Sequence, residues 1–139
     1  MEFLLRIDAA IYVVDCDPNS DARGADFVYQ NAAALGKQML TAKPKATVVF
    51  VSGTKEGAVW LEGTNNTHTS GNAAIRRAYA EITAEFPAAA LHFVDGDEIY
   101  AQPDASVFWE MTVMGTHPSS LGMERFTEFW VPRLQKLLS

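Results

Sequence analysis

Apolar residues along this chain keep two rhythms. Three short runs are apolar at nearly every position: Ala10-Ile11-Tyr12-Val13-Val14, Thr47-Val48-Val49-Phe50-Val51 and Leu91-His92-Phe93-Val94. Runs rich in β-branched residues, with no polar alternation, predict strands buried on both faces inside a parallel sheet covered by helices. Elsewhere apolar residues return every three or four positions. Ala25, Val28, Ala32, Leu35 and Met39 predict a helix that stops before Lys43-Pro44, with Gly36 a mild blemish in it. Ile75, Ala78, Tyr79, Ile82 and Phe86 predict a second, closed by Pro87. Met123, Phe126, Trp130, Leu134 and Leu137 form one apolar stripe on a third, where Pro132 should bend the helix or free a carbonyl. Glu2 to Asp8 reads as the last turns of a helix or a lead-in.

Turn formers separate these segments. Cys16-Asp17-Pro18-Asn19-Ser20-Asp21 is a loop, and Ser52-Gly53 breaks the second strand. The polar stretch Thr54 to Ser70, with Trp60 and Thr64-Asn65-Asn66-Thr67-His68, predicts a long loop of the kind that is commonly functional. Asp95-Gly96-Asp97 follows the third strand, and a further loop runs to His117. Strand and helix alternate throughout, which predicts one α/β domain over residues 1–139 with a parallel sheet and right-handed crossovers. Ligands of such sheets gather at the carboxyl ends of the strands. The loops bearing Asp17 and Asn19, Ser52 and Glu56, and Asp95 to His117 all open on that edge. Asn19 and His117 are therefore expected to approach one another.

Composition narrows the function classes. The chain has 139 residues, 48% hydrophobic and 20% charged, enough for a single core and unlike a disordered chain. A net charge of −6 leaves no basic stripe to displace counterions, so nucleic acid is not an expected partner. Cys16 is the single cysteine, which excludes an intramolecular disulfide. No apolar run reaches the ~18 residues of a membrane span, and no signal peptide is legible at Met1 to Arg6, so a cytoplasmic location is the expectation. With His68, His92 and His117 dispersed, no metal site is expected.

The chemistry concentrates in Val113-Met114-Gly115-Thr116-His117-Pro118-Ser119-Ser120-Leu121-Gly122. A histidine held in a turn before a helix, with an unperturbed pKa near 6.5, can take and return protons at neutral pH. The alternative is that Pro118 and Ser119 simply start a helix and His117 is a surface residue. Cys16 reads as a small buried apolar residue, His92 as a core or edge histidine, and His68 as part of a solvated loop. Trp60 and Trp109 read as packing under loops.

Taken together, Ala10-Ile11-Tyr12-Val13-Val14-Asp15-Cys16-Asp17-Pro18-Asn19 and Gly115-Thr116-His117-Pro118-Ser119-Ser120-Leu121-Gly122 resemble the SGNH (GDSL-type) hydrolases. The likeness is to the small esterase-like branch whose third block reads aspartate-cysteine-x-proline-asparagine. Val49-Phe50-Val51-Ser52-Gly53 looks like that family's fourth strand and Asn72-Ala73-Ala74-Ile75-Arg76-Arg77-Ala78-Tyr79 like its next helix. The resemblance implies a three-layer flavodoxin-like (SGNH-type) fold, carboxylic-ester hydrolysis of a small or sugar ester, and no cofactor. It also makes Asn19 the side-chain oxyanion donor and His117 the general base. An amide N–H aimed at a developing oxyanion is worth roughly 3–4 kcal/mol, and a histidine in reach of a hydroxyl makes it nucleophilic.

Three departures accompany the likeness. The blocks bearing the family's serine nucleophile and its glycine oxyanion donor have no counterpart, so the chain reads as truncated at its N-terminus relative to the pattern. Met114 stands where the family places an aspartate, and a thioether cannot fix a histidine tautomer. Ser20, Ser52, Ser119 and Ser120 lack the strained turn that presents a nucleophile. Glu110 or Asp104 could supply the missing carboxylate. Without the nucleophile-bearing strand, Ile11 to Asp15 becomes an open edge, and self-association through it is expected. Two functions compete: an SGNH-type esterase whose nucleophile lies outside these residues, and a catalytically inactive relative that binds a ligand or partner. A flavodoxin-like small-molecule module lacks the phosphate-cradling glycine loop.

Overall fold

The structure, a computed structural model, describes residues 5–15, 23–54, 58–99, 110–113 and 117–139, with the backbone alone over 58–68. Its centre is strand β2 (Thr47–Val51), where Val48, Val49, Phe50 and Val51 are each no more than 1% exposed. Strand β1 (Ile11–Val14) lies parallel on one side, in register from Ile11 opposite Thr47 to Val14 opposite Phe50. Strand β3 (Leu91–Val94) lies parallel on the other, from Val48 opposite Leu91 to Val51 opposite Val94. The order β1-β2-β3 follows the chain, and helices connect successive strands as the alternating pattern predicts.

Side chains of β2 point alternately to two different layers. Val48 and Phe50 enter a core with Val28, Met39 and Leu40 of helix α1 (Ala25–Ala42) and Ala74, Ile75 and Ile82 of helix α2 (Ala58–Glu85). Val49 and Val51 enter a second core with Ile99 and with Trp130 of helix α3 (Ser120–Leu138). This is the three-layer α/β arrangement expected.

Gly36 is more than a blemish. A Cβ there would lie 2.5 Å from Ile82 Cδ1 and 2.9 Å from Phe50 Cζ, so the glycine lets α1 close onto α2 and the sheet. On the outer side of this helix pair Lys37 bridges Glu81 at 2.7 Å and Glu85 at 2.6 Å, and the Tyr29 hydroxyl donates to Glu81.

Three local expectations are corrected. Residues 58–70 belong to α2 rather than to a long loop. No proline occurs between Thr54 and Phe86, and the packed half from Asn72 onward supplies the helix nucleus. Thr and Asn then cost only a few tenths of a kcal/mol each as the helix extends (roughly, by intrinsic propensity). Met123 is 53% exposed and lies off the buried stripe of α3. Phe129 takes part instead, its ring edge-on to Trp130 at 5.6 Å. Finally, β1 is hydrogen-bonded to β2 alone among the described residues. Burial on both faces, which its composition by itself suggests, is not what these residues show. Tyr12 and Val14 pack toward α1 and α2, and Ile11 toward α3. Val13, on the Ile11 side by alternation, is 44% exposed.

Candidate functional site

His117 begins strand β5 (His117–Pro118), which pairs antiparallel with β4 (Thr112–Val113). Val113 is the direct partner of His117, and Thr112 of Pro118. The histidine thus lies in a two-stranded ribbon, not in an irregular loop, and it is exposed. Ser119 fastens the ribbon to α3. Its backbone N–H donates to the Met111 carbonyl at 2.8 Å, and its hydroxyl donates to the Glu110 carbonyl at 2.6 Å. The same hydroxyl accepts from the Gly122 N–H at 3.2 Å, the N-cap bond that starts α3. Gly122 has no room for a side chain: a Cβ would collide with the Met111 carbonyl oxygen and lie 3.3 Å from Pro118 Cβ. Met111 and Thr112 are buried, so the ribbon has one anchored face and one open face.

A second polar cluster closes the carboxyl ends of β2 and β3. Ser52, fully buried, donates its hydroxyl to Asp95 Oδ1 at 3.2 Å and accepts from the Gly96 N–H at 3.0 Å. Asn72 of α2 makes two bonds to Gly53, accepting from its N–H at 2.8 Å and donating to its carbonyl at 3.1 Å. Arg76, one turn further along α2, meets Asp95 Oδ2 at 2.5 Å and lays its guanidinium 4.7 Å from the Phe93 ring centre. Burial pushes the Asp95 carboxyl up, but the Arg76 bond, the Asp97 N–H and the Ser52 hydroxyl together hold it below the usual carboxylate range. Sequence reasoning left Asn72, Arg76 and Asp95 without roles. The available signal was the i, i+4 spacing of Asn72 and Arg76 beside two strand ends, Ser52-Gly53 and Asp95-Gly96.

A family model described as the GDSL-like lipase/acylhydrolase family matches residues 1–135. The chain belongs to that family. A crystal structure of a candidate GDSL-like lipase from Bacteroides ovatus ATCC 8483 superposes with a TM-score of 0.81 at 22% identity, over 99% of this chain and 38% of that one. At that identity the likeness shows the fold, and this chain spans well under half the length of that one. No curated protein matches the chain.

The residues singled out in the sequence differ in what the structure describes of them. His117 is described, exposed and held by its ribbon. Ser52 and Ser119 each make hydrogen bonds within the fold, to Asp95 and to the Glu110 carbonyl. Glu110 is exposed, and among the described residues no carboxylate is paired with His117. His92 is exposed on β3. Asn19, with Cys16, Asp17, Ser20, Glu56, Asp104, Trp109 and Met114, lies outside the described residues, as do the side chains of Trp60 and His68. No three histidine, cysteine or acidic side chains among the described residues are grouped to hold a metal ion. No helix among them is long and apolar enough to cross a membrane.

Proposed function

We propose that this chain carries the general-base half of a carboxylic-ester hydrolase site acting on a small ester such as an acetylated sugar. His117 takes the proton of an attacking hydroxyl and returns it to the leaving alcohol. Asn19 donates its carboxamide N–H to the oxyanion. The nucleophile comes from a segment outside these residues. One observation carries the reading: His117 is held opposite Val113 in the ribbon and fixed on its C-terminal side through Ser119 to Glu110, Met111 and Gly122, while the residue itself is exposed. A base needs that combination of fixed position and free access. Hydrolysis of p-nitrophenyl acetate by this chain or by a version extended upstream, abolished by His117→Ala, is the expected result. No turnover from either chain would remove the catalytic reading.

The second reading is a catalytically inactive relative that binds a ligand or partner. It is favoured by Met114 standing where the family places an aspartate, with no carboxylate ion-paired to His117 among the described residues, and by the burial of Ser52. Saturable binding of an acyl or sugar ligand that survives His117→Ala would favour it over the first.

The same chain is proposed to self-associate through β1. Supporting this are the flank of β1 that no strand among the described residues pairs with and the exposed Val13 beside it, with neither lysine nor proline in Ile11–Val14 to discourage pairing.

A further inference from the structure

Exposed apolar side chains gather on one side of the sheet. Val13 is the exposed residue of β1 and lies on its α3 side. Helix α3 covers the sheet with Phe126, Trp130, Leu134 and Leu137. Arg133 reaches Glu98, just beyond β3, at 3.6 Å, so that flank of the helix is turned toward β3. At about 100° of rotation per residue, Val131 and Leu138 fall on the opposite flank, on the β1 side, and both are exposed. A trough therefore runs along β1, with Val13 as its floor and the flank of α3 as its wall. Apolar patches of this kind mark interaction sites.

Charge says which partner strand fits. At the amino end of the sheet Lys43 and Lys45, in the turn before β2, outnumber Asp8. At the carboxyl end Asp15, Asp95 and Asp97 outnumber Arg76. An antiparallel copy sets each acidic end beside a basic one, whereas a parallel copy sets like beside like. Resting on the reading of β1 as a self-association edge, we infer that the trough is filled by a second copy of this chain, its β1 antiparallel to the first about a two-fold axis normal to the sheet. Residues opposite one another on an antiparallel pair project to the same side, so the axis passes through a residue. Centred on Tyr12 or Val13, the middle of β1, it sets Val13 against the partner's Ile11 or the partner's Val13. Both α3 helices then stand on one face of the joined sheet, with the Val131 and Leu138 flanks turned toward each other over the valines. A parallel pair would leave them on opposite faces.

The test is intermolecular paramagnetic broadening. A Cys16→Ser, Ala42→Cys chain, spin-labelled at the amino end of the sheet, is mixed with the isotope-labelled parent at concentrations where sedimentation shows association. The amides of Val14 and Asp15, at the carboxyl end of β1, should broaden. Val131→Ser, at an exposed position, should weaken association about tenfold, since the loss counts once in each copy. Broadening at Asp8 and Ala46 instead would mean a parallel pair and overturn the inference while leaving the β1 edge standing. Association without broadening anywhere in β1 overturns the edge and the inference together, as does a monomer. Association unchanged in Val131→Ser overturns the contact assigned to α3.

Discussion

Gly122 sits against the carbonyl of Met111 so closely that no side chain fits between the first turn of α3 and the start of β4. The strand that bears His117 and the C-terminal helix are thereby one mechanical unit, joined again through Ser119. Gly122→Ala should cost about 1–3 kcal/mol, the range for overpacking a tight contact. Urea titration measures the loss, and displaced His117 ring signals in the folded variant would show that the strain reaches the site. An alanine variant as stable as the parent would contradict the packing described.

Asn72 is the other single-residue fastening. Its carboxamide satisfies both backbone groups of Gly53 where β2 ends, and the side chain is 7% exposed. Asn72→Ala removes both of these bonds to buried backbone groups and should destabilise by about 1–3 kcal/mol. A chemical denaturation midpoint with unchanged slope is the appropriate measure.

Asp95 gives stability a dependence on acid. Its folded pKa lies below the ordinary value of about 3.9, because Arg76, the Asp97 N–H and Ser52 outweigh the effect of burial. The carboxylate's contribution is then present above the unfolded pKa and is lost as pH falls through the folded one. Asp95→Asn should remove this part of the acid dependence, so that parent and variant converge in stability as pH drops toward 2–3 (roughly, by that linkage). A constant gap between them from neutral to acid pH would show that the ionised form is not the one stabilised.

The β1 edge makes its own prediction. Sedimentation of the parent chain should show concentration-dependent association in the micromolar range (about, for a weak edge pairing), and Val13→Lys should shift it toward monomer. A clean monomer for the parent at those concentrations would count against pairing at that edge.

Much of the fold was legible in advance because it depends on burial alone. Runs such as Val48 to Val51 have no polar face to expose, so a covered sheet was the sole outcome compatible with them. The stretch before Asn72 was misread because its threonines and asparagines resemble loop residues. Whether they are helical depends on the packed segment that follows, which local composition does not reveal. Met123 and Phe129 traded places on α3 for a similar reason: periodicity gives a face to within about one residue, and packing around Trp130 decides which neighbour is covered. At the site, His117 stood out by its setting. The ribbon partner Val113 did not, since register between two-residue strands leaves no mark in sequence. Asn72, Arg76 and Asp95 were hidden because their partners are backbone groups and strand ends far away in the chain.

Among the described residues the two cores differ in size, eight buried residues on the α1–α2 side of the sheet against four on the α3 side. Amide protons should record the difference. Those of β2 and α2 from Asn72 onward should exchange only when the whole molecule unfolds, whereas α3 should open earlier as a unit. Because Ser119 and Gly122 tie His117 to α3, each such opening carries the imidazole along with the helix and resets it on closing, so how long His117 keeps its place is set by the docking of a helix.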